Sequence, residues 1–134
     1  MAEAIALPPL QAILDLHRQS IERFGGSHGL RDSGAVEAAL ARAEQLLAYG
    51  GPDVGIHAVA AAVGYSLAKI RHPFVDGNNR VAWFTMFVIL RLNGFYLDAR
   101  EVDATAVVLG VADGSVDEIS LVTFLQANSW RVRA

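Results

Sequence analysis

Apolar positions recur at helical spacing along the chain, in blocks separated by Gly, Pro, Asn and Asp. After Pro8-Pro9, the residues Leu10, Ile13, Leu14, His17, Ile21 and Phe24 fall on one helical stripe, which Gly25-Gly26 stops. Ser27 to Arg31 reads as a loop. Asp32 or Ser33 can cap a second helix over Gly34–Ala48, with Val36, Leu40, Ala43 and Leu47 on one face, and Gly50-Gly51-Pro52 breaks it. A third helix, capped by Asp53, is expected from about Val54 to Ile70, where many Ala and Gly residues predict close packing on a neighbour. Pro73 forbids its smooth continuation and leaves His72 at its end, facing a loop.

The block after that loop is different. Val81 to Leu90 is apolar on every side except for Thr85, so the helix Asn78–Leu92 should be buried at the centre of the fold, and Asn93-Gly94 should end it. Phe95-Tyr96-Leu97 reads as a short extended piece. A helix over Asp98–Val111 starts acidic, as the helix dipole prefers. Asp113-Gly114 makes a turn, and Ser115 with Glu118 forms a capping box for a last helix through Gln126 or beyond. Helices alternating with short turns predict an all-α bundle, one domain over 1–134, with no repeat and no linker.

Composition narrows the function classes. With 53% hydrophobic and 19% charged residues, the 134-residue chain can build a proper core and is not disordered. A net charge of −3 argues against direct nucleic-acid binding. The lack of cysteine excludes disulfides and thiolate metal sites. Met1 to Leu7 lacks the basic segment and apolar core of a signal peptide, and the apolar run after Arg80 is too short to span a bilayer before Arg91 interrupts it. A cytoplasmic protein without a membrane partner is the expectation.

The candidate chemistry lies in His72-Pro73-Phe74-Val75-Asp76-Gly77-Asn78-Asn79-Arg80. A helix N-terminus presents unpaired N–H groups and the positive end of a dipole, which is an anion site, phosphate being the usual anion. Gly77 lets backbone come close to a ligand, or else makes a turn; Asn78 or Asn79 can cap the helix. The dipole disfavours Arg80 at this end, so an arginine here makes sense beside a phosphate it can hold. Asp76 beside a phosphate calls for a hard cation between them, Mg2+ being the natural one, although the carboxylate could instead only cap the helix. His72 can accept a proton near neutral pH, or merely satisfy a helix-end carbonyl. Together these are the parts needed to transfer a phosphorus-containing group to a hydroxyl.

Other residues carry less. His17, His28 and His57 show no metal-ligand spacing, and His17 on the first helix's apolar stripe reads as packed. Lys69, Arg71 and Arg80 make a small basic rim that either steers a nucleotide or is solvated charge. Phe74 reads as an anchor pinning the loop, and Trp83 and Phe84 as core rather than nucleobase stackers.

His72 to Arg80 resembles the signature of the Fic/Doc family, His-x-Phe-x-(Asp/Glu)-(Gly/Ala)-Asn-(Gly/Lys)-Arg. Leu16-His17, Ile21 to Gly26, Gly29 to Asp32, Leu90 to Gly94 and Gly110 to Gly114 are similar to segments of its Doc branch, the death-on-curing toxins of toxin–antitoxin pairs. The resemblance implies a compact Fic/Doc helical bundle with a short flap near the loop 27–31 that pairs with the backbone of a protein target. It implies ATP and Mg2+ as cofactors, His72 and Arg80 as catalytic residues, Asp76 at the metal, and Phe74, Gly77, Asn78, Asn79 and Arg80 in the cofactor-binding loop. It further implies γ-phosphate transfer to a threonine of elongation factor Tu, arrest of translation, and inhibition by a Phd-like antitoxin in trans. The family's self-inhibiting motif, (Ser/Thr)-x-x-x-Glu-(Gly/Asn), comes closest at Ser33 to Glu37, where Ala38 breaks it. Two positions matter: Trp83 replaces the second arginine of Fic AMP-transferases, which favours Doc, as Doc also lacks it, but Asn79 stands where Doc has lysine and Fic has glycine, which leaves open which phosphorus is attacked. AMP transfer from the same site, or a degenerate protein that only binds a partner, are therefore the alternatives.

Overall fold

A computed structural model describes residues 4–132; the reading of Met1 to Leu7 lies outside the described residues for positions 1–3. Six α-helices and one two-stranded ribbon make up the described chain: α1 Leu10–Phe24, α2 Ser33–Tyr49, α3 Ile56–Tyr65, α4 Asn78–Leu92, β1 Phe95–Leu97, α5 Glu101–Asp113, α6 Glu118–Ala127 and β2 Ser129–Arg131. The all-α class holds. The ribbon β1–β2 is antiparallel, with Tyr96 opposite Trp130, and its second strand was not legible in the sequence.

α4 is the central element, as its uniform apolarity predicts. Val81, Ala82, Met86, Ile89 and Leu90 are fully buried, and each large one contributes on the order of 1.5–3 kcal/mol of apolar burial. Its principal neighbour is α3, which buries Val59 through Gly64 and can approach closely because the face is Ala and Gly. A Cβ on Gly64 would run into the Met86 thioether. A second, smaller core of Ile13, Val36, Leu40, Phe74 and Val81 joins α1 and α2 to the start of α4. Arg42 ties α2 to two other helices, pairing with Glu118 of α6 and donating to the Ala62 carbonyl of α3. Asn93 pins the segment before α1 to the end of α4 by exchanging two hydrogen bonds of 2.8 Å with Ala6.

Several boundaries differ from expectation for identifiable reasons. Asp32 caps α2 by accepting from the Ala35 amide, as read. Asp53 caps nothing: α3 starts at Ile56 after Gly55, because residues 50–53 form a turn first. α6 is capped by Asp117, whose carboxylate accepts from Ser120 N at 2.8 Å; Ser115 instead closes the preceding turn on the Gly110 carbonyl. The third helix does not end simply. It continues from Ser66 to Arg71 as a π-helix that delivers His72 to the loop. Among the described residues no helix is long and apolar enough to cross a membrane.

Candidate functional site

A cleft of about 950 Å³ opens where the π-helix, the loop 72–77 and the N-terminus of α4 meet. His72, Asp76, Gly77, Asn78, Asn79 and Arg80 all line it. Its other walls are Phe24 of α1, Trp83 and Phe84 of α4, and a stripe of α5 that includes Ala104, Val108 and Ala112.

His72 is the single non-glycine residue with positive φ among those described, at φ 44° and ψ 62°. It follows the widened π turn and precedes Pro73, and strained backbone of this kind tends to gather at working sites. The exposed imidazole sets Nε2 2.6 Å from the Ala68 carbonyl oxygen. A carbonyl only accepts, so Nε2 carries the proton and Nδ1 keeps the lone pair of the neutral ring. The carbonyl-satisfying bond of a helix-end histidine is thus present, and it fixes which ring nitrogen is left free.

Asp76 is exposed and well hydrogen-bonded: Oδ2 accepts from the Ser27 amide at 3.1 Å and Oδ1 from the Gly77 amide at 2.8 Å. Those two bonds, with help from the charges of Arg80 and His17, hold its carboxyl below the ordinary carboxylate range. Each oxygen retains a further lone pair. Among the described residues no group of three or more His, Cys, Asp or Glu comes together. One exposed carboxylate suits Mg2+, which takes few protein ligands and completes its shell with phosphate oxygens and water.

The helix mouth departs from the expected capping. The N-cap of α4 is Gly77 at φ 77°, with no side-chain cap, so neither Asn78 nor Asn79 serves there. A Cβ on Gly77 would come within 3.1 Å of Ile21, so this glycine permits the left-handed turn and the approach to α1 rather than clearing room for a ligand. Asn78 folds back over the loop, accepting from Phe74 N at 3.0 Å and donating to Phe74 O at 2.9 Å. Asn79 borders the cleft half-buried. Among the described residues nothing accepts from the amides of Asn78, Asn79 or Arg80, which leaves a set of unpaired donors at the positive end of α4.

Phe74 is corrected as a cofactor-binding residue. It is 2% exposed and its ring stacks on buried His17 at 3.7 Å and 7°, so no ligand reaches its side chain. It anchors the loop, and His17 extends the anchor by donating from Nε2 to the Asp76 carbonyl at 2.7 Å. Arg80 neither floats in solvent nor points freely. It donates to the Gly25 and Ser20 carbonyls at 2.9 and 3.3 Å and lies 5.6 Å from the Phe24 ring. Those carbonyls belong to the C-terminal end of α1, where a cation is favoured. Lys69 and Arg71 do not line the cleft, so the basic rim reduces to Arg80.

The loop 27–31 pairs with the chain's own site loop. Val75 N donates to Gly29 O at 3.0 Å, Leu30 bridges Phe74 in antiparallel fashion, and Arg31 N donates to Pro73 O at 2.8 Å. The sequence reading missed the α5 wall and Phe24, and Trp83 and Phe84, read as core, stand half-buried along the cleft. The available signal was α5's surplus of apolar residues, which exceeds what one core-facing stripe needs, so that Val102 and Leu109 stand exposed.

The model of the Fic/DOC family matches residues 7–90 of this chain. The Toxin Doc of Mycolicibacterium smegmatis is 42% identical over 77 residues, which cover 57% of this chain and 58% of that toxin. The Protein kinase doc of Escherichia phage P1 is 31% identical over 118 residues, covering 87% of this chain and 90% of the phage protein. The alignment therefore spans little more than half of the mycobacterial toxin but nearly all of the phage protein. On the match of its family signature, and on a helical fold that mounts that signature at the mouth of a central helix, the chain belongs to the Fic/DOC family.

Proposed function

We propose that this protein is the toxin of a toxin–antitoxin pair that transfers the γ-phosphate of ATP to a hydroxyl of a protein target. The observation that carries this reading is the convergence in one cleft of a tautomer-fixed histidine, an ionised carboxylate and unpaired helix-terminal amides. The name of the phage relative, a protein kinase aligned over most of both chains, supports the same reaction. The target by resemblance is a threonine of elongation factor Tu in the cytoplasm, with arrested translation as the consequence and a Phd-like antitoxin as the restraint.

In this reading His72 Nδ1 takes the proton of the target hydroxyl. The hydroxyl oxygen forms a bond to the γ-phosphorus while the bond from that phosphorus to the bridging oxygen breaks, and ADP leaves. The amides of Asn78, Asn79 and Arg80 bind the transferring phosphate, and the donors of Arg80 not engaged by α1 add a charged grip. Asp76 would hold Mg2+, which when bound neutralises phosphate charge.

ATP labelled at the α- or the γ-position tests the reaction. Label reaching protein from the γ-position only is expected. Label arriving only from the α-position would replace phosphoryl transfer with AMP transfer from the same site. No transfer from either, with cells harmed equally by the protein and by its His72→Ala variant, would leave a partner-binding protein.

A further inference from the structure

We infer that Trp83 forms one wall of a nucleobase slot in the cleft, the opposite wall being the small-residue stripe Ala104, Val108 and Ala112 of α5. The inference rests on the proposal that the loop at the mouth of α4 holds nucleotide phosphates.

The placement follows from helix geometry. Trp83 lies three residues beyond Arg80 on α4, so it stands about one turn, roughly 5 Å, above the amides proposed to hold phosphate, on a face that still lines the cleft. A nucleotide whose phosphates occupy the mouth must direct its base up this wall or out into solvent. The indole is half-buried and is held by Phe124 of α6, centroids 6.2 Å apart and rings inclined by 67°. No aromatic ring among the described residues lies flat on it. Opposite, Ala104, Val108 and Ala112 recur every fourth residue and so share one face of α5. A wall of short side chains in the same cleft as an indole that no ring covers offers a base apolar surface on which to stack.

The other aromatic side of the cleft is already engaged. Phe24 lies under two guanidinium groups, Arg23 at 5.5 Å and Arg80 at 5.6 Å, and Phe84 leans on Phe24 at 6.0 Å. A base stacked there would have to displace these contacts, whereas among the described residues no ring lies flat on Trp83 and no guanidinium covers it. Charge agrees with this assignment, since the slot residues are neutral and the charged lining groups gather at the loop end, with Glu101 the exception at the start of α5.

The test uses the full chain carrying Trp130→Phe, which leaves Trp83 as its sole tryptophan; Trp130 sits exposed on the ribbon, outside the cleft. ATP and inorganic triphosphate are titrated separately with Mg2+, following indole fluorescence and, by calorimetry, binding. ATP is expected to quench Trp83 strongly and triphosphate weakly. Trp83→Leu should then weaken ATP binding about tenfold, stacking being worth a factor of several to a hundred per base, while leaving triphosphate binding unchanged. Trp83→Phe should restore most of the loss, which separates stacking from any general loosening caused by the lost Phe124 contact. ATP binding with unaltered fluorescence, or equal weakening of ATP and triphosphate in Trp83→Leu, overturns the slot while the phosphate site stands. Failure of both ATP and triphosphate to bind overturns the proposed function as well. Quenching by an apolar peptide but not by ATP would assign the slot to a protein side chain and overturn the inference.

Discussion

Asn78 separates two accounts of the signature loop, and its replacement by alanine tells them apart. If the side chain cradled phosphate, Asn78→Ala would lose activity and keep its stability. The structure instead has the amide bonded to both backbone polar groups of Phe74, at 3.0 and 2.9 Å, beside a ring that is 2% exposed. Truncation removes two hydrogen bonds worth about 1 kcal/mol each and leaves the Phe74 N–H without a partner, for a total of about 2–3 kcal/mol. In a domain of this size each kcal/mol moves the unfolding midpoint by about 3–4 °C, so Tm should fall by about 6–12 °C. Asn78→Asp keeps the acceptor for Phe74 N but sets a carboxylate oxygen against the Phe74 carbonyl where the donor stood, so it should recover only part of the loss. Differential scanning calorimetry and urea unfolding of the three proteins, with labelled-ATP transfer assayed well below every Tm, decide the matter. A Tm within 2 °C of the parent together with abolished transfer would refute the staple and return Asn78 to the ligand.

Three further outcomes are expected. His72→Ala should reduce transfer by about 10²–10⁴-fold, the range for a lost general base, yet move Tm by no more than about 3 °C, because the exposed ring gives up one hydrogen bond to Ala68; retained transfer would dismiss the histidine as base. Gly64→Ala should destabilise by about 1–3 kcal/mol, since the added methyl runs into the buried Met86 thioether, and an unchanged urea midpoint would show that α3 and α4 pack less closely than described. The Asp76 carboxyl is held below its ordinary value of 3.8, so its contribution is fully present above that pH and is lost as pH falls through the lowered folded-state value. Unfolding of the parent and Asp76→Asn compared from pH 6 downward should therefore converge in acid; a gap that widens toward low pH would contradict the sign.

The helices were legible because each carries its own signal. α4 is apolar on all sides, α1 has one clean stripe between Pro9 and Gly25, and Asp32 is followed at once by a periodic run. The members of the site were legible for a different reason: six of them are neighbours in sequence, so a helix start suffices to bring them together. What each side chain does was less accessible. Asn78 and Gly77 were read toward a ligand, and Phe74 as an anchor that also belongs to the cofactor-binding loop; in the fold Asn78 serves the Phe74 backbone four residues back, while Gly77 and Phe74 seat the loop on α1 against Ile21 and His17, 56 and 57 residues away. The π-helix left no mark in the sequence because its residues, Ser66 to Arg71, suit an α-helix equally well. β2 was missed because three residues provide too little alternation to read, and only pairing with Phe95–Leu97 gives them a strand's geometry.

Arg80 shows how the sequence can single out a residue for an incomplete reason. An arginine at a helix N-terminus is unfavourable with respect to its own helix, and that anomaly pointed to a bound anion. The fold supplies another source of negative charge: the C-terminal carbonyls of α1, 55–60 residues earlier in the chain, which Arg80 caps through Gly25 and Ser20. The positive end of α4 and the negative end of α1 thus meet inside one cleft. Without a cation between them, the α1 carbonyls would oppose any anion drawn to the α4 amides. Arg80 neutralises the first helix end while keeping donors for a ligand at the second, which a lysine's single ammonium could not do with the same fork of N–H groups. The same guanidinium fixes Gly25, and Asp76 fixes Ser27, so the two charged groups assigned to phosphate and metal also hold the strap that leads into the loop 27–31. The two side chains proposed to hold phosphate and metal are therefore also the ones that position that strap.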